Sequence, residues 1–288
     1  MNPVESDEQE YTFGYIPSTP DDRDIPLKRT TNTAIMQLKQ TTFVGSLLYA
    51  LFGWIRFISW KMVLSWFPWS AKHGTIPVNV DMRGKFPAPF NQGSTNSCVS
   101  NAIAGIMLVN NKAAPSISRL ACYYLARSLE NRVSVDAGCS PRDALKVAAH
   151  GVCDETSWPY DLTKVLHSPP LSGTVCNGGY RYVSQTQTDI QDALTVGYPV
   201  MIGISVYKSM IAPDVKKSGI IPFPNPEADT LVGGHCVVIV GYKMINDILY
   251  FIIRNSWGDK WGDGGYGYIP STYVLNSKLC QDLWVILP

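Results

Sequence analysis

From Cys98 onward, apolar positions recur at helical spacing. Val99, Ala102, Ile103, Ile106 and Val109 form one stripe that ends at Asn110-Asn111. The polar, glycine-containing loop NQGSTNS leads into it. A second helix is predicted from Ser118 to Glu130. A third opens at SPRD, with Ser140 as N-cap, Pro141 in the first turn and Asp143 at the capping-box position, and it stops at Gly151. After Asp154 the period changes. RYVSQT, YPVMIGISVY, HCVVIVGYK and ILYFIIRN read as strands, separated by turns and one short helix near Thr188 to Val196. Helices first and strands afterwards predict an α+β fold in two lobes. The helical lobe carries Cys98, the β-rich lobe carries His235, and a site between them is a cleft.

Upstream the pattern is different. Residues 43–69, from Phe43 to Trp69, read FVGSLLYALFGWIRFISWKMVLSWFPW. The apolar run up to Ile55 is too short to span a bilayer alone. Extended to Phe67 it is long enough, but Arg56 then lies near its middle, at a cost of roughly 2.5–3.5 kcal/mol. Ser46, Tyr49, Gly53, Arg56 and Ser59 also mark a polar stripe, and Trp54, Trp60, Trp66 and Trp69 suit a headgroup interface. An interfacial helix in contact with a membrane, a true span, and a helix packed on the protein itself all stay open. Next to it, TIPVNVDMRGKFPAPFNQG reads as an extended lead-in. This divides the chain into an extension, residues 1–75, and a domain, residues 76–288.

Composition narrows the function. Apolar residues make up 45% and charged residues 16% of the 288, the latter below the usual quarter or so. The composition is globular, and a net charge of +1 argues against a nucleic-acid partner. Charge is unevenly spread: residues 1–24 are acidic apart from Arg23, and residues 25–80 contain no acid. The seven cysteines are odd in number and irregularly spaced, which is no disulfide framework. No CxxC pair is present, so a structural zinc site is not expected. With no Asn-x-Ser/Thr sequon and no apolar stretch at the extreme N-terminus, the cysteine usage points to a reducing compartment.

Candidate chemistry centres on Cys98. A thiol is a good nucleophile only as thiolate, a form favoured by a helix N-terminus and a neighbouring imidazolium. Ser97-Cys98 stands where the first helix begins. Of the four histidines, His73 lies in a linker, His150 in a last helical turn and His167 in an HSPP loop. His235 opens a strand directly after Gly233-Gly234, with no bulky side chain before it, and is the natural partner. In IIRNSWGDKWGDGGYGYI, Asn255 can accept the imidazole N–H and fix its tautomer, and Trp257 can cover that bond from water. A neutral core histidine and a glycine-rich hairpin with tryptophans in the core would read the same way.

Taken together, these residues resemble the papain-like cysteine proteases. The order Gln92, Cys98, His235, Asn255, the step from Gln to Cys, and the blocks NQGS…SC, GGHCVVIVGY and NSWGDKWGDGGYGYI are similar to that family's signatures. IPVNVDMR resembles the start of the mature enzymes, and HGVCDETSWPY the segment after their third helix. The resemblance runs from Thr75 to Pro288. It implies the papain-like two-lobe fold, with Cys98 as nucleophile, His235 as general base and then acid, Asn255 orienting His235, and Gln92 in the oxyanion hole beside the Cys98 backbone N–H. It also implies hydrolysis of peptide bonds through a thioester, acting on a protein or peptide substrate, by a monomer without a cofactor. Gly233, Gly234 and Trp257 border the substrate. With Cys236 and Val285 they suggest an uncharged pocket for an apolar side chain.

TNSCVSN departs from the cathepsin pattern: Thr95 replaces a half-cystine, Val99 replaces a tryptophan, and Cys139 loses its usual partner. QGSTNSCVSNAIAG with FGYIPSTPDDRD is more similar to a divergent branch in bacteria and large DNA viruses that lacks a cathepsin-type propeptide. Location in a cytoplasm or virus particle fits that branch. Residues 1–75 could block the cleft, tether the enzyme or wrap the domain, and PDDRD is equally readable as a turn cluster. A catalytically weak binding protein on the same fold, or a thiol amidase or deubiquitinating-type enzyme, are the alternatives to an endopeptidase.

Overall fold

The structure, a computed structural model, describes residues 11–27, 76–111, 115–171, 175–176, 178–225 and 227–288. The segment 43–69 lies outside them. Among the described residues no helix is long and apolar enough to cross a membrane. Residues 11–26 group with 78–288 in one compact unit, and 27–77 fall in a second. The unit's main body begins at Val78, and the unit also includes residues that the sequence assigned to the extension.

Three helices precede the long strands: α1 (Cys98–Asn110), α2 (Arg119–Leu129) and α3 (Pro141–His150). Their ends follow local chemistry. Ser118 Oγ accepts the Ala121 N–H at 3.1 Å, and Ser140 Oγ accepts that of Asp143 at 3.3 Å. Gly151 closes α3 at φ +112°, a backbone conformation that favours glycine. The apolar stripe predicted for α1 understates its position, because every residue from Cys98 to Met107 is buried. The helix packs against α2, α3 and the sheet, so its small and polar positions are enclosed as well.

The remaining strands and α-helices among the described residues are β1 (Val80–Asp81), β2 (Tyr180–Tyr182), α4 (Gln187–Thr195), β3 (Val200–Tyr207), α5 (Pro213–Ser218), β4 (Leu231–Ile245), β5 (Ile248–Arg254), β6 (Tyr266–Pro270), α6 (Ser271–Val274) and β7 (Cys280–Ile286). They build an antiparallel sheet in the order β2-β7-β3-β4-β5-β6, with β1 on β4. The strands β6 and β7 and the helices α5 and α6 add to those expected from the sequence. Strand β4 is the spine. It is buried from His235 to Tyr242, pairs with β3 and β5, and receives α1 on one face. The first residue of α1 and the buried start of β4 thereby meet, as the two-lobe reading requires.

Candidate active site

Cys98 stands at the first turn of α1, and the loop before it is held on all sides. The Gln92 N–H donates to Ser256 O at 2.8 Å, which ties this loop to the one after β5. Gly93, at φ +60°, turns the chain back. The Tyr160 hydroxyl lies 2.6 Å from Ser97 Oγ and 2.9 Å from Thr95 Oγ1, and donates to Gln92 O at 3.0 Å. Asp136 accepts the Asn96 N–H at 3.1 Å. Where a cathepsin-like half-cystine is absent, Thr95 therefore joins a buried hydroxyl network. All seven cysteines are free, and only Cys176 is exposed.

His235 Nε2 lies 2.8 Å from Asn255 Oδ1. The backbone N–H of Ser256 donates to the same Oδ1 at 2.8 Å. A backbone N–H can only donate, so the atom it meets is the amide oxygen, and the imidazole Nε2 must carry a proton to bond with it. Nδ1 is left with its lone pair, and it has no hydrogen-bond partner among the described residues. Trp257 stacks on the imidazole, with centroids 4.6 Å apart and planes at 20°, and shields this bond from water. The Cys98 thiol faces the backbone N–H of Cys236, the residue after His235.

A strap from the extension fills the space in front of this group. The Tyr11 ring sits 4.4 Å from that of Trp257, and Phe13 stands edge-on to His235 at 6.4 Å. Gln92 Nε2 donates to Thr12 Oγ1 at 3.1 Å, to Thr12 O at 3.3 Å and to Thr95 O at 2.8 Å, while its Oε1 accepts from Ser256 Oγ at 2.6 Å. The Gly14 N–H points at the Cys98 thiol. Gly14 O accepts the Cys139 N–H at 3.0 Å, and the Tyr15 N–H donates to Gly234 O at 3.0 Å. Further along, Asp24 accepts from the buried Arg142 guanidinium, which also bonds Thr19 O. The Tyr182 N–H donates to Ile25 O at 3.0 Å.

The strap sets the electrostatics. Cys98 and His235 are both fully buried beneath it. Burial pushes the Cys98 thiol up to about 11, outweighing the pull of the surrounding N–H groups. Burial also holds His235 down at about 4, against the bond to Asn255. Both shifts favour the neutral forms, the thiol of Cys98 and the imidazole of His235.

A family model described as papain family cysteine protease matches residues 76–281. The chain belongs to the papain family of cysteine peptidases. An uncharacterized peptidase C1-like protein of Acanthamoeba polyphaga mimivirus is 31% identical over 95% of this chain and 86% of its own length. The crystal structure of xylellain, a cysteine protease from Xylella fastidiosa, covers 96% of this chain and 95% of its own at 30% identity, with a TM-score of 0.71. Procathepsin L 3 of Tenebrio molitor shares the fold at 20% identity, covering 77% of this chain and 73% of its own with a TM-score of 0.60. This papain-like α+β architecture and the viral and bacterial relatives agree with the resemblance read from the motifs.

Within this papain-family peptidase, Gln92, Cys98, His235, Asn255 and Trp257 come together at one place. Gly233 and Gly234 border it, and a Cβ on Gly233 would lie 2.6 Å from Phe13 Cβ. Tyr160 and Asp136, which fix the loop before Cys98, were not singled out from the sequence. Tyr160 closes the block HGVCDETSWPY, and that position was the available signal. Asp136 offered none.

Proposed function

We propose that this chain is a cysteine endopeptidase held latent by its own residues 11–26. The observation that carries the reading is the pair of bonds converging on Asn255 Oδ1, which leaves the lone pair on His235 Nδ1, where it is free to take a proton. With the strap displaced, Nδ1 takes the Cys98 proton and Sγ adds to the scissile carbonyl carbon. Gln92 Nε2 and the Cys98 N–H receive the oxyanion, each donor contributing about 3 kcal/mol to the transition state. The tetrahedral adduct collapses as His235 returns the proton to the departing amine, leaving a thioester on Cys98. Water, deprotonated by His235, then releases the acid and restores the thiol.

The strap brings the backbone N–H of Gly14 to the Cys98 thiol. A carbonyl, that of Thr12, lies against the oxyanion donor Gln92. Residues 11–26 thus act as an inhibitory strap on a catalytic unit formed by residues 76–288.

The test is hydrolysis of internally quenched peptides by the full chain carrying Gly14→Ala, which unseats the strap, against Gly14→Ala/Cys98→Ala. Cleavage by the first alone, with Cys98 labelled by an epoxide inhibitor, is the expected result. Neither cleavage nor labelling would overturn the reading in favour of a binding protein on the papain fold.

A further inference from the structure

Tyr15 follows the residue that faces the nucleophile, and its side chain enters a slot in the sheet. The walls are glycine backbone. A Cβ on Gly203 of β3 would lie 2.1 Å from Tyr15 Cζ, and one on Gly234 of β4 would lie 2.8 Å from Tyr15 Cδ1. The space is therefore flat and takes a ring. At its end the Tyr15 hydroxyl donates to Asp282 Oδ2 at 2.8 Å.

Asp282 is placed there by an irregular backbone. Met201 pairs with Trp284 and Gly203 with Gln281, so β7 carries one residue more than β3 between these pairs. Asp282, within this bulge, has φ +56°, a left-handed conformation that costs a non-glycine residue of order 1 kcal/mol. Bulges beside active sites re-aim a side chain, and this one turns a carboxylate toward the slot. Its Oδ1 is bonded by Trp284 Nε1 at 3.1 Å, from the same strand. Both donors to Oδ2, the Tyr15 hydroxyl and the Ser18 N–H at 2.8 Å, belong to the strap. Once the strap leaves, Oδ2 has lost both.

We infer that this slot is a specificity pocket of the peptidase and that Asp282 tunes it to a tyrosine side chain of the substrate. The inference rests on the cysteine-peptidase reading of the cleft. A site built to accept a hydrogen bond rejects the analogue that lacks the donor, because its own polar group is then left unpaired. Phenylalanine and leucine fill the slot but leave Asp282 Oδ2 without a donor, whereas tyrosine reproduces the ring contact and the bond that Tyr15 makes. Burial and the Asp282 charge raise the Tyr15 pKa, so the phenol stays a donor. Asp282 adds a charge to the pocket that Gly233, Gly234, Cys236 and Val285 suggested as uncharged.

Two measurements test this. In the first, the full chain with Gly14→Ala cleaves quenched peptides carrying Tyr, Phe, Leu or Arg at each of the three positions either side of the scissile bond. Tyrosine is expected to exceed phenylalanine about tenfold in kcat/KM at one position. Asp282→Gly, which suits the positive φ, is expected to bring that ratio near one, and Asp282→Asn, which keeps an acceptor, to retain part of it. In the second, with Gly14 native, the rate of Cys98 alkylation by iodoacetamide reads release of the strap without any catalysis. Tyr15→Phe is expected to raise it about tenfold, and to have no effect when combined with Asp282→Gly. If no peptide is cleaved while this coupling holds, the peptidase reading fails and tyrosine recognition by Asp282 stands. Equal cleavage of tyrosine and phenylalanine peptides, a preference for arginine, or absence of the coupling would each overturn the inference.

Discussion

A Cβ on Gly14 would stand 1.7 Å from the carbonyl oxygen of Asn96. Here the strap touches the cleft backbone to backbone, and no side chain can be accommodated. Gly14→Ala is therefore expected to unseat residues 11–19 while leaving the sheet and helices intact. A covered site whose open form is populated to about 10% or less gains about tenfold or more in accessibility when the cover goes. The measurement is the rate of Cys98 alkylation in Gly14→Ala against wild type. Gly84→Ala, at a glycine with open space around it, is the control expected to change nothing.

The bond from Ser256 N–H to Asn255 Oδ1 assigns Asn255 to orientation rather than to proton transfer. In the Gly14→Ala background, Cys98→Ala or His235→Ala is expected to abolish peptide cleavage. Asn255→Ala is expected to leave weak activity, lower by about a hundredfold, near the smaller end of what acid–base positioning contributes. Steady-state kinetics on one quenched peptide distinguish the three. Equal losses would remove the separate role of Asn255.

Why the reactive group was readable and the strap's place was not follows from where their contacts lie. Cys98, His235 and Asn255 each sit beside a local landmark: a helix start, a Gly-Gly opening a strand, and the end of an apolar strand before a glycine-rich loop. The capping of α2 and α3 was equally local. The seat of the strap depends on main-chain contacts of Gly14 with Asn96 and Cys139, far apart in the chain, which leave no pattern of side chains. The wrap read in YTFGYIPSTPDDRD was its only trace, and PDDRD was equally readable as a turn cluster. β7 was missed because its bulge at Asp282 breaks the alternation that marks a strand. Burial of α1 on every side also exceeds what a stripe can show, since it depends on the helices and sheet that close around it.

Acid is expected to loosen the strap. With the strap seated, His235 titrates at about 4 instead of its ordinary 6.5. The seated form therefore binds fewer protons than an open form with a solvated imidazole. The stabilisation of the seated form that comes from neutral His235 is complete above pH 6.5 and is lost as the pH falls towards 4. Hydrogen exchange of the Tyr15 amide, which donates to Gly234 O, measures this once corrected for its intrinsic rate. Protection should fall between those two pH values in the wild type and change less with His235→Gln. Equal pH dependence in both would assign the effect to other groups.

Arg254, the residue before Asn255, links the lead-in segment to the site. Its guanidinium is largely buried, and it donates at 2.8 Å to both Pro87 O and Ala88 O. Those carbonyls lie a few residues before Gln92, so the fork sets where the oxyanion donor begins its turn. Burial lowers the Arg254 pKa, but from a value so high that the group stays charged. Arg254→Leu leaves two carbonyls without their donor, an expected cost of about 2–4 kcal/mol, or a fall in Tm of roughly 4–16 °C. In the Gly14→Ala background kcat should fall with little change in KM, because a displaced Gln92 is missed in the transition state rather than in the bound substrate. Arg254→Lys, with one point charge in place of a planar fork, should rescue neither property. A drop in Tm with kcat unchanged would make Arg254 a structural residue and nothing more.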